Sequence, residues 1–146
     1  MIQFVIYGEP MAKQRPRVSN NGGFARAYTP KDTILYENKV AYAYKQAAND
    51  FVFDRNDLLN VEITAFFPLV KGDYGKKGLN KSGKTKLDNL YCNKHKDLDN
   101  IIKIVLDGLN KIAYIDDKQV VKICASKVWV ENNPRVEVNI SSINNW

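Results

Sequence analysis

A mixed α/β (α+β) domain, one β-sheet of about four strands with two main helices packed on it, is the fold class this sequence predicts. Three observations carry that prediction. Short apolar runs alternate with polar residues at both ends and near the middle of the chain. A long helical repeat lies in the second half, and a clear helix-start signal lies in the first. The 146 residues, 45% of them hydrophobic, suit one domain (residues 1–146) with room for a core.

In chain order, Ile2, Phe4 and Ile6 alternate with Gln3, Val5 and Tyr7, which predicts a strand ended by Gly8-Glu9-Pro10. Met11 to Ala27 is polar and basic, with Lys13, Arg15, Arg17 and Arg26, and reads as an ordered loop or hairpin turning at Asn20-Asn21-Gly22-Gly23. A helix then starts: Thr29 is a good N-cap, Pro30 suits the first position, and Asp32 places a carboxylate in the first turn. With no Gly or Pro before Asn49-Asp50, it is expected to run to about Ala48. Leu35, Tyr42 and Gln46 do not define its buried face. Val61 to Phe67 is a second strand, closed by Pro68. The stretch from Lys71 to Lys96 holds four glycines and is expected to be irregular and basic, with part of it mobile without a ligand. Leu98, Ile101, Ile102, Val105, Leu106 and Leu109 then form the apolar stripe of an amphipathic helix, with Gly108 and Asn110 at its frayed end. Val120 to Val130 and Arg135 to Ile140 are the last strands, and Pro134 between them predicts a hairpin.

The chain carries a net charge of +6. From Lys71 to Lys96, eight Lys face only Asp73 and Asp88, an excess equal to that of the whole chain. Such a patch suits a polyanion, because neutralised phosphates release counterions. It also suits a solvated lysine-rich loop, and charge alone does not separate the two. No apolar run approaches the roughly 18 residues of a membrane span. The start of the chain lacks a basic leader, so a cytoplasmic location is expected. Cys92 and Cys124 are too few for a disulfide framework and are expected to be free thiols. Cys92-Asn93-Lys94-His95 has the look of half a zinc site, but the chain's single His and the lack of another Cys pair argue against one.

Asp97-Leu98-Asp99 opens the strongest helix, and Asp116-Asp117 follows its end. Residues two apart on a helix point about 200° away from each other, so Asp97 and Asp99 can cooperate only if Asp97 precedes the helix. We therefore expect Asp97 before the helix and Asp99 at its cap or first turn, where the helix dipole favours negative charge. Lys103 lies one turn beyond Asp99 along the same flank. Clustered carboxylates repel, and a hard divalent cation such as Mg²⁺ relieves that repulsion. Ordinary capping and i,i+4 pairing account for the same residues without chemistry, at some tenths of a kcal/mol. The lysine-rich neighbour favours the site reading, because a polyanion and an acidic site need the same neighbourhood.

The run Asp97-Leu98-Asp99-Asn100-Ile101-Ile102-Lys103, continuing through Asp107-Gly108-Leu109-Asn110 to Asp116-Asp117-Lys118-Gln119-Val120, resembles the RusA family of Holliday-junction resolvases. So do Gly8-Glu9-Pro10, Lys13-Gln14-Arg15-Pro16-Arg17 and Tyr28-Thr29-Pro30, and the resemblance reaches from Ile2 to about Ile140. It implies a homodimeric endodeoxyribonuclease of recombination and repair that nicks four-way junctions symmetrically with Mg²⁺ (Mn²⁺ as substitute), in a bacterial or phage-infected cell. It implies Asp97, Asp99 and Asp117 as catalytic metal ligands, converging beside Lys103 as the catalytic lysine, with no small-molecule cofactor and no membrane. The phosphate contacts expected with it are Lys13, Arg15, Arg17, Arg26, Lys76, Lys77, Lys81, Lys84 and Lys86. Asp116 is left without a role, and Asp107, judged by its phase to lie away from the other acids, is read as structural. Lys96 stands where the family commonly has Pro, and the lysine-rich stretch departs from it too, which leaves branch selectivity open. Ile104, about 240° from Leu98, falls off the stripe and is a candidate subunit contact. The alternatives are a nuclease of broader branched DNA (flaps, forks) and a DNA-binding module without catalysis.

Overall fold

The computed structural model describes residues 1–144. In chain order the elements are β1 (Ile2–Tyr7), β2 (Arg17–Ser19), β3 (Arg26–Tyr28), α1 (Lys31–Ala48), β4 (Leu59–Pro68), β5 (Tyr74–Gly75), β6 (Gly78–Leu79), α2 (Lys81–Asn89), α3 (Leu98–Leu109), β7 (Val120–Val130) and β8 (Arg135–Ser142). The main sheet is four-stranded and mixed, in the order β1-β8-β4-β7, as the expected class requires. Among the described residues, no helix is long and apolar enough to cross a membrane.

β4 is central because its alternation is the cleanest: Leu59, Val61, Ile63, Ala65 and Phe67 are all buried. They meet Val136, Val138 and Ile140 of β8 and Phe4 and Ile6 of β1 in one core beneath α1 and α3. The expected β7–β8 hairpin does not form. β8 pairs antiparallel with β1 and β4, while β7 pairs parallel with β4 from its other side. The short link around Pro134 therefore steps over the end of β4, and the apolar face of β4 takes the centre that adjacency in sequence would have given to a hairpin. The parallel β4–β7 pair needs a crossover, and α3 lies within it.

α1 starts one residue later than its signal suggests. Pro30 occupies the cap position with no side-chain cap bond, in place of Thr29. Its buried face is Thr33, Tyr36, Val40 and Tyr44, a stripe of three- and four-residue steps that the scattered outer residues hid. α3 buries Ile101, Ile104, Val105, Gly108 and Leu109, so its covered arc is wider than the predicted stripe. Ile104 is fully buried and is no exposed contact for a second subunit. Gly108 is no fraying point either: a Cβ there would lie 2.8 Å from Val40 Cβ and 3.0 Å from the Glu37 carbonyl oxygen. The glycine lets α1 and α3 approach, and that approach covers Ile104.

The lysine-rich stretch folds, giving a third helix in place of irregular chain. Buried Asp73 is its organising group. Its carboxylate accepts from Val70 N–H (2.9 Å), Ser82 Oγ (2.7 Å) and Lys86 Nζ (2.9 Å). Those bonds, the Lys86 ammonium first, hold the carboxyl below the usual range. Asn80 caps α2 by accepting from Gly83 N–H, and Lys86 Nζ also lies 4.6 Å over the Trp129 ring.

Candidate active site

The acids occupy two places along α3. At its start Asp97 is the N-cap, extended at φ −69° and ψ 136°, and its carboxylate makes no cap bond. Asp99 lies in the first turn, exposed, and accepts from Asn100 N–H at 3.0 Å. Both positions agree with the arithmetic of the sequence. This end of the helix is held from two sides. Lys13 N–H donates to the Asn100 carbonyl (2.8 Å), and Lys96 Nζ donates to the Pro10 carbonyl (2.9 Å), so the basic N-terminal loop runs against the first turn. His95 stacks on Phe67 with ring centroids 5.1 Å apart and meets Trp129 edge-on. The lone histidine is exposed but lies against two aromatic rings, and Cys92 is a buried free thiol.

The second place is the turn after α3. Asp116 is extended and accepts from Lys118 N–H at 2.9 Å, which gives this acid a capping role. Gln119 is buried and uses its whole amide. Its Oε1 accepts from Ile115 N–H (2.9 Å) and Asp116 N–H (3.1 Å), and its Nε2 donates to the carbonyls of Asp54 (2.7 Å) and Asp57 (3.2 Å). The acidic turn is therefore clamped onto the segment that leads into β4. A cleft lined by Arg55, Asp57, Leu58, Ile115, Asp116, Lys118 and Gln119 opens beside it.

Charge is unevenly shared here. The Asp117 carboxyl is pushed up by its hydrogen bond with Asp116, by partial burial, and by the negative charges of Asp116 and Asp107. Asp116 is held down by Lys118 N–H and by Asp117. Burial, with the charges of Asp117 and Asp107, also raises the Tyr114 phenol, whose OH donates to the Leu106 carbonyl at 3.0 Å. Asp107 is therefore not remote from the acids, as its helical phase suggested: it acts on Asp117. It is also half of an ion pair, 3.1 Å from Lys13 Nζ, which lies 2.6 Å from Glu37 as well.

Asp97 and Asp99 thus stand at the start of α3, and Asp107 with the Asp116–Asp117 turn lies toward its end. Lys103 sits between, exposed and outside every ion pair among the described residues. Eight residues of helix put Asp107 about 12 Å along the axis from Asp99. Among the described residues, no three Asp, Glu, His or Cys side chains form a ready-made metal group. Of the basic candidates, Arg15, Arg17, Arg26, Lys76, Lys77, Lys81 and Lys84 are exposed, whereas Lys13 and Lys86 are half-buried against carboxylates. The Gln119 clamp and the Lys13–Asp107 pair were absent from the sequence reading. The Asp-x-x-Gln spacing of a capping box hints at the first, and nothing local signals the second.

The fold thus ranges carboxylates along α3, while exposed cations outside any ion pair among the described residues lie on the N-terminal hairpin and on the Tyr74–Asn89 segment. The comparisons name the class. The model of the family described as endodeoxyribonuclease RusA matches residues 7–141. A Bacillus subtilis (strain 168) protein that carries only the name Uncharacterized protein YqaN is 32% identical over 142 residues, covering 97% of this chain and 96% of its own. The chain belongs to the RusA endodeoxyribonuclease family.

Proposed function

We propose that the protein is a structure-selective endodeoxyribonuclease that resolves Holliday junctions by Mg²⁺-dependent hydrolysis, two copies cutting two strands symmetrically. The observation that carries this reading is the pair of exposed carboxylates at the start of α3, Asp97 without a cap bond, with Lys103 one turn on. The donor set fits Mg²⁺. It is oxygen only, and Asp97 and Asp99 supply the one or two carboxylates that such an ion takes beside substrate phosphate and water. Asp97 and Asp99, together at the start of α3, would hold it; Asp117, the third acid the resemblance implies, lies toward the other end of the helix and does not converge with them. When bound, such an ion lowers the pKa of a coordinated water and offsets charge growing on phosphorus.

The protein's own groups supply the rest. Lys103 binds the scissile phosphate and steadies its developing negative charge. The dipole at the start of α3 favours anionic groups there. Gln119 and the Asp116 cap fix the turn that carries Asp117. Exposed cations on the N-terminal hairpin and on α2 take neighbouring phosphates, which position the DNA without reading its sequence.

The test is cleavage of a four-way junction, a replication fork and a linear duplex of identical arm sequence, with Mg²⁺ or with EDTA. Paired nicks on opposite strands of the junction, only with Mg²⁺, are expected. Equal cutting of forks would favour a broader branched-DNA nuclease. Binding without cutting in any metal would leave a DNA-binding module.

A further inference from the structure

The β2–β3 hairpin presents its side chains to solvent. All of β3 is exposed, as are Arg17 and Val18 of β2. A two-stranded hairpin is marginal by itself in water, yet this one turns large apolar groups outward: Val18 is 66% exposed, Phe24 72% and Tyr28 48%. Arg17 stands opposite Tyr28, Val18 opposite Ala27, and Ser19 opposite Arg26. The two-residue period of a strand therefore puts Arg17, Arg26 and Tyr28 on one face and Val18 with Ala27 on the other. Gly22 and Gly23, at φ 73° and 79°, make the turn, and Phe24 follows directly at the tip.

Charge decides what such a face can meet. Between Met11 and Lys31 there is no Asp or Glu. A second copy of the hairpin would be repelled, whereas a polyanion is attracted. The hairpin also has a fixed root: Lys13 is bound through its ammonium to Glu37 and Asp107 and through its N–H to the Asn100 carbonyl. The backbone at its root is thus tied beside Asp99, at Asn100, while the Lys13 ammonium reaches along α3 to Asp107.

We infer that this hairpin is a finger that recognises the branch point of DNA, with Arg17 and Arg26 on phosphates and Phe24 stacked on a base that the branch leaves without a neighbour. In the interior of a duplex every base face is already covered, so Phe24 has nothing to stack on away from the ends. At a branch a face is open, and stacking on an aromatic ring accepts any base. Tyr28, beside the arginines, offers a second ring. The inference rests on the branched-DNA reading above and adds to it the feature that separates branch from duplex.

The test is binding by the full-length protein in EDTA, so that nothing is cut, to a fluorescent four-way junction and to a linear duplex of the same sequence. Phe24→Ala is expected to weaken junction binding about tenfold or more while changing duplex binding by less than about twofold. Phe24→Trp is expected to keep the preference. Arg17→Ala is expected to weaken both substrates and lower the slope of log affinity against log salt by about 0.9. Because Phe24 is exposed, unfolding temperatures should match, which keeps the comparison free of folding effects. Phe24→Ala weakening both substrates equally, or neither, overturns the inference. So does a change in oligomeric state by sedimentation, which would make the tip a contact between copies. A wild type with no preference for the junction sinks the functional reading itself, whereas a preference that survives Phe24→Ala sinks the finger alone.

Discussion

Two regions carry the exposed cations assigned to DNA, and they are built in opposite ways. The Tyr74–Asn89 segment is tied down by Asp73, which takes Lys86 as an ion-pair partner under the ring of Trp129. Among the described residues, the β2–β3 hairpin has no comparable lock beyond its root at Lys13, and its arginines are exposed and outside every ion pair. A lysine or arginine in a basic stretch thus has no fixed meaning. Lys86 and Lys13 stabilise the fold through buried or half-buried carboxylates, while Lys84 and Arg17, close to them in sequence, remain open to phosphates.

The sharpest way to break that distinction is to exchange one lysine of each kind. Lys86→Met leaves Asp73 charged, buried and unpaired, and is expected to lower Tm by at least about 4 °C. Lys84→Met should leave Tm unchanged and reduce the salt slope of DNA binding by about 0.9. If both act only on DNA binding, the lock is not structural. Next in size is the clamp on the acidic side. Gln119→Leu strands two N–H groups and two carbonyls and is expected to cost about 2–3 kcal/mol in denaturant titration. Gly108→Ala follows. The added methyl meets Val40 and Glu37 at sub-contact distance, for a net loss of about 1–2 kcal/mol after the gain in helix propensity. No loss would mean that the two helices can move apart freely.

Acid provides a finer test of the lock. The Asp73 carboxyl is lowered in the folded state, so its contribution to stability is complete above the unfolded carboxylate value. It is lost as pH falls through the lower, folded value. The Tm difference between wild type and a Lys86→Met variant should therefore be largest near neutrality and narrow in acid below about pH 4. A difference that widened in acid would contradict the assignment.

What the sequence revealed follows from how local each cause is. α3 was legible because Leu98, Ile101, Val105 and Leu109 repeat at helical steps, and the offset of Asp97 from Asp99 followed from the angle between them. α2 was not, since in Lys81–Asn89 only Leu87 is a large apolar residue. The helix is held by Asp73 and Ser82 across a turn, and no periodicity announces that. Ile104 was misjudged because the stripe was drawn for one neighbour, the sheet, while α1 covers the helix from a second side. The β7–β8 pairing failed for a related reason: which strand takes the centre depends on β4, far off in sequence. At the site, the positions of Asp97 and Asp99 followed from helix geometry. The coupling of Asp107 to Asp117 and the reach of Gln119 to residues 54 and 57 depend on tertiary folding alone.

The central claim is that the carboxylates at the start of α3 perform the chemistry while the cations hold the DNA. Asp99→Asn, which keeps size and removes charge, addresses it directly when junction cutting and junction binding are measured on the same preparation. Cutting should fall by at least about a hundredfold while binding stays within about twofold of wild type. Cutting that persists near the wild-type rate would contradict the account, and binding lost in proportion to cutting would contradict the division of labour.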